Sequence, residues 1–169
     1  ALGAMANAQG TMNNLTFGNE QYQYYETICS GSPAGKFNNG TGFAATSGVH
    51  THMTNSRLTD PEILELRFPV FLEEFAIREG SGGSGQFKGG DGTRRTIRFL
   101  ERMDCAILSS HRTRPPQGLE GGGDGNAGRT EVRRADGTVE TLKACDQTVL
   151  EAGEAVIVTT PTPGGFGRV

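Results

Sequence analysis

Between residues 80 and 92 seven of thirteen positions are glycine, and residues 119–128 carry five more. Each glycine inside a helix costs about 1 kcal/mol against alanine, so both stretches must be loops or close backbone crossings. The whole chain has 26 glycines in 169 residues, about twice the ~7 % of ordinary proteins. They follow no three-residue period, which excludes a collagen. Between the glycine stretches lie short runs rich in β-branched and aromatic residues, at 21–28, 74–78, 94–100, 105–109, 130–134, 138–142 and 155–160. Short runs of this kind bounded by turn signals read as strands. Ala135-Asp136-Gly137 between two of them is a hairpin signal. Pro69 within the extended stretch 66–72 predicts an edge strand or a bulge.

Two short helices are expected. One is a small-residue helix over 1–12; the other starts at Asp60, a good N-cap followed by Pro61 at the first helical position. The sequence therefore predicts a single, mainly β domain over residues 1–169, a sandwich or barrel with long glycine-rich loops.

Net charge is −3, which gives no broad basic surface for nucleic acid. Apolar runs stop at four or five residues, far short of the ~20 of a membrane span. The N-terminus has neither the basic region nor the apolar core of a signal peptide. Cys29, Cys105 and Cys145 are odd in number and widely spaced, which reads as reduced thiols in a cytoplasmic protein. The missing initiator Met reads as a piece of a longer chain.

Three features bear on chemistry. Gly80-Ser81-Gly82-Gly83-Ser84-Gly85 matches the dinucleotide-loop pattern, but the chain after it cannot open the helix that pattern needs. A tight backbone crossing is the expectation. The second feature is His50 and His52. Alternate residues of an extended segment share a face, and two imidazoles on one face can move protons or bind a metal. Asn55, Arg57 and Asp60 are close enough in sequence to join them, and no third metal ligand stands at characteristic spacing. The competing reading is that the pair only orders a polar turn. The third feature, Arg112 and Arg114 after His111, could pair with a carboxylate or phosphate in forked geometry, but surface arginines are the commoner reading.

The linear motifs go further. Val49-His50-Thr51-His52-Met53-Thr54-Asn55-Ser56-Arg57 resembles a signature of the hydantoinase B/5-oxoprolinase family. So does Arg78-Glu79-Gly80-Ser81-Gly82-Gly83-Ser84-Gly85 with the Gly89-Gly90-Asp91-Gly92 that follows. Thr160-Pro161-Thr162-Pro163-Gly164-Gly165-Phe166-Gly167 resembles the family's glycine-rich ending, with Thr162-Pro163 interrupting the usual glycine run. The resemblance runs in order along nearly the whole chain and places it at the C-terminal end of a longer B-type polypeptide, or of the B-half of a fused 5-oxoprolinase.

It implies an ATP-dependent hydrolase of cyclic amides, opening 5-oxo-L-proline to L-glutamate or a hydantoin ring. The other implied readings are an assembly domain without chemistry of its own and part of an ATP-dependent ketone carboxylase subunit. ATP and Mg would be bound outside this chain, and the partner would be a hydantoinase A-type subunit or A-half, in an oligomeric enzyme. His50, His52, Asn55, Arg57 and Asp60 are the candidate catalytic residues carried by the motif.

Overall fold

The computed structural model describes residues 3–51 and 56–169. Among them the chain is mainly β, as predicted. Nine of the twelve strands among the described residues form two antiparallel sheets that pack face to face. The first has four strands: β2 (Asn13–Gly18), β3 (Gln23–Ile28), β8 (Met103–Leu108) and β11 (Cys145–Leu150), in the order β11-β8-β2-β3. The second has five: β6 (Val70–Ile77), β7 (Thr93–Phe99), β9 (Arg129–Arg133), β10 (Val139–Leu142) and β12 (Ala155–Thr159), in the order β10-β9-β12-β7-β6. A small third sheet joins β1 (Ala4–Met5), β4 (Gly35–Lys36) and β5 (Gly42–Phe43), the last two lying inside the Gly-, Ser- and Asn-rich stretch 29–48.

Period-2 alternation turns one face of each large sheet inward. Leu15 and Phe17 of β2 and Cys105 and Ile107 of β8 meet Ile97 and Phe99 of β7 and Val156 and Val158 of β12 in one buried cluster. Phe17 and Phe99 pack edge to face at 5.2 Å across the gap, a favoured aromatic geometry. This is the predicted sandwich. Pro69 precedes β6, which is an edge strand with a register shift between Leu72 and Glu74.

Among the described residues one helix forms, α1 (Pro61–Arg67). The Asp60 carboxylate accepts the Glu62 N–H at 3.0 Å, and Pro61 occupies the first turn. The helix expected over 1–12 does not form. Gly3 and Gly10 stand at φ +104° and +72°, which a helix cannot hold. Ala4 and Met5 pair instead with Lys36 and Gly35.

The glycine stretches stack backbone on backbone. The Gly83 N–H donates to the Pro163 carbonyl at 2.9 Å, Gly165 to Gly123 at 2.9 Å, and Gly125 to Pro116 at 2.9 Å. A Cβ on Gly125 would sit 1.9 Å from the Thr162 carbonyl oxygen, so the main chains here approach closer than any side chain allows.

The interior also holds an ion pair. Arg95 of β7 and Glu26 of β3 are 1 % and 5 % exposed. They meet across the two sheets through two parallel hydrogen bonds of 2.7 and 2.9 Å. Arg95 also lies 5.1 Å over the Phe75 ring. The Tyr24 hydroxyl is 3.0 Å from both Glu26 and Thr59. Burial first, then the Glu26 charge, push the Tyr24 pKa from 10.0 up to about 12. The folded chain therefore keeps a proton that the unfolded chain loses near pH 10. The resulting stability is complete below pH 10 and is lost as pH rises towards 12. Stability measured from pH 9 to 12 should fall, and part of that fall should vanish in Tyr24→Phe.

Cys29 and Cys105 are buried and Cys145 is exposed. Burial pushes the Cys105 thiol up to about 12, and a protonated thiol is a poor nucleophile. One thiol should react with Ellman's reagent at pH 8 in the folded chain and three after denaturation.

Candidate active site

The segment that carries His50 is fixed from three sides. Ser30, just beyond β3, forms an antiparallel bridge with Val49, and the Val49 N–H donates to the Ser30 carbonyl at 2.8 Å. The Gly48 N–H donates to the Asp91 carbonyl at 3.0 Å. Asp91 in turn donates its N–H to the Ser47 hydroxyl at 2.9 Å and accepts the Gly82 N–H on its carboxylate at 2.8 Å. The Ser30 hydroxyl donates to the Pro161 carbonyl. Gly48 itself has φ +56° and faces Ile77, so a side chain there would be strained and crowded. The three stretches that carry the sequence resemblance, far apart along the chain, thus meet at one place, with Asp91 tying the first two together.

Beside this junction both ring nitrogens of His50 are buried, and neither has a hydrogen-bond partner among the described residues. Buried polar atoms are rarely left so, and an exception calls for a functional or structural reason. The other candidates are placed differently. His52 and Asn55 lie outside the described residues. Arg57 is exposed. Asp60 is exposed too, and its carboxylate caps α1. Among the described residues no three His, Cys, Asp or Glu side chains are grouped to hold a metal ion.

The glycine loop after Arg78 forms the backbone crossing expected of it. Its amides are already engaged, Gly82 with Asp91 and Gly83 with Pro163. Thr93 begins β7 where a nucleotide-binding loop would open a helix. Its residues do not fit a phosphate cradle. Arg112 is no surface arginine. It is half-buried, donates to Ser110, Asn13 and Thr130, and burial lowers its pKa to about 10.

The outer face of the five-stranded sheet holds residues that the sequence did not single out. Register sets Ala76, Arg94, Thr159 and Arg129 side by side in one cross-strand row. Together with Arg78, Glu74 and Ile77 they line a cavity of about 320 Å³. Ile77, which backs Gly48, joins this cavity to the His50 segment.

The whole chain, residues 1–169, matches the model of the hydantoinase B/oxoprolinase family. The chain belongs to that family. A 5-oxoprolinase of Dictyostelium discoideum is 48 % identical over 168 residues, which are 99 % of this chain and 13 % of that protein. 5-Oxoprolinase 1 of Arabidopsis thaliana is 47 % identical over 167 residues, again 99 % of this chain and 13 % of the relative. This hydantoinase B/oxoprolinase chain therefore spans about an eighth of the length of those relatives. The crystal structure of an ATP-dependent caprolactamase from Pseudomonas jessenii superposes with a TM-score of 0.80 over 97 % of this chain and 30 % of that one. At 20 % identity that likeness speaks for the fold. Among the described residues no helix is long and apolar enough to cross a membrane.

Proposed function

We propose that this chain is a C-terminal domain of the B-type part of a 5-oxoprolinase, a complete protein that opens 5-oxo-L-proline to L-glutamate with ATP. The observation that carries the reading is the 48 % identity to a 5-oxoprolinase along essentially the whole chain. A five-membered lactam is a stabilised amide, and water attacks its carbonyl slowly without activation. On the family resemblance, ATP and Mg act on the A-type part, outside this chain. The contribution of this chain is a proton carrier. The ring nitrogens of His50, without a hydrogen-bond partner among the described residues, take a proton from the attacking water or give one to the departing ring nitrogen.

The test is a substrate panel on the complete protein, scored by phosphate release. 5-Oxo-L-proline should be turned over with formation of glutamate. Turnover of hydantoins alone, or of a ketone with bicarbonate, would overturn the assignment.

A further inference from the structure

The arginine-lined cavity is built like a receptor for a negative group. Thr159 lies between Arg94 and Arg129 as their direct cross-strand partner. Thr159 is 5 % exposed, yet its hydroxyl lines the cavity without a hydrogen-bond partner. The Arg94 Nε is buried and unbonded as well. It forms an ion pair with Glu74 at 3.3 Å, outside hydrogen-bond geometry. Glu131 pairs with Arg129 at 2.9 Å. Arg78 donates to the Thr160 carbonyl at 2.8 Å. Burial and the like charges of Arg129 and Arg94 lower the Arg78 pKa, and Asp91 opposes them more weakly. Three guanidinium groups therefore line one cavity, with the carboxylates of Glu74 and Glu131 paired to two of them, an arrangement that suits a monoanion better than a phosphate. Arginine forks match planar carboxylates, and ~300 Å³ is the small end of ligand pockets.

We propose that this cavity binds the ring carboxylate of an acidic lactam substrate, with the Thr159 hydroxyl and the Arg129 and Arg94 guanidinium groups as its donors. This rests on the reading of the complete protein as a 5-oxoprolinase. The pocket then acts as the specificity site that separates a ring bearing a carboxylate from one without.

The experiment uses the complete protein and two substrates, 5-oxo-L-proline and 2-pyrrolidinone, which is the same ring without the carboxylate. One charged hydrogen bond is worth tenfold or more in discrimination, at about 1.5–3 kcal/mol. Arg129→Gln should lower the ratio of kcat/KM for the acid over the neutral lactam at least tenfold, chiefly through KM for the acid. Thr159→Val should lower it severalfold, and Arg129→Lys should recover part of the loss. Arg102→Gln, at an exposed arginine paired with Glu151, should leave the ratio as it was.

An unchanged ratio in both Arg129→Gln and Thr159→Val overturns the proposal. So does a ratio that holds while binding of the A-type part weakens, because the cavity then seats an acidic side chain of the polypeptide. If the wild-type protein turns over neither lactam, the functional reading fails by itself. Calorimetric binding of 5-oxo-L-proline and of acetate then decides the pocket: binding that Arg129→Gln abolishes supports it, and no binding, or binding the variant leaves intact, overturns it.

Discussion

Glu26→Ala should destabilise the fold by about 3–5 kcal/mol, the cost of leaving one partner of a buried ion pair alone. Arg95 is held on all sides by the sandwich, at 1 % exposure. Its two strong hydrogen bonds run to Glu26, and the Phe75 ring replaces only a fraction of that attraction. Without the carboxylate, a guanidinium would be stranded between two sheets. Arg95→Met alone should cost a similar amount, because it strands Glu26. The double variant Glu26→Leu/Arg95→Met should recover most of the loss, since no charge is then left inside. Urea unfolding of the three variants measures this. Additive losses in the double variant would show that the two charges act independently.

His50→Ala should lower kcat for 5-oxo-L-proline by ~10²–10⁴, the range for a general acid or base. The expected size follows from what His50 lacks. Neither ring nitrogen has a hydrogen-bond partner among the described residues, so removing the ring breaks no hydrogen bond seen there. The loop is fixed by main-chain contacts at Gly48 and Val49, which alanine keeps. Melting temperature should therefore change little while turnover collapses. A ring that merely ordered the turn would give the reverse, a lower melting temperature with turnover largely kept. Steady-state kinetics and thermal melts of the same complete protein separate the two.

Much of the scaffold was legible because its signals are local. Asp60 and Pro61 announce α1, Ala135-Asp136-Gly137 the β9–β10 turn, and Pro69 the edge strand. Two strands of the four-stranded sheet were not legible. β2 begins with Asn13 and Asn14, turn residues by type, whose amides are tied to the Ile28 and Leu108 carbonyls. β11 carries Asp146 and Gln147 on a largely solvated strand. Arg95 in the core and half-buried Arg112 also defy residue type, because their partners sit 69 and 99 positions away in sequence. The cavity shows the same limit. Arg78 stands in a recognisable motif, whereas Arg94, Arg129 and Thr159 become neighbours only through the β7-β12-β9 register. The histidine motif could be read in the sequence, but the unpartnered ring of His50 could not.

On the proposed reading, an imidazole at position 50 moves a proton during ring opening. The most direct test is chemical rescue. The complete protein carrying His50→Ala is assayed for glutamate formation from 5-oxo-L-proline and ATP while free imidazole is added. The predicted result is a deep loss of turnover that imidazole restores in a saturable, pH-dependent way, with the melting temperature near wild type throughout. Values of kcat/KM within about twofold of wild type without imidazole, or a loss that imidazole leaves untouched while the melting temperature has dropped, would contradict it.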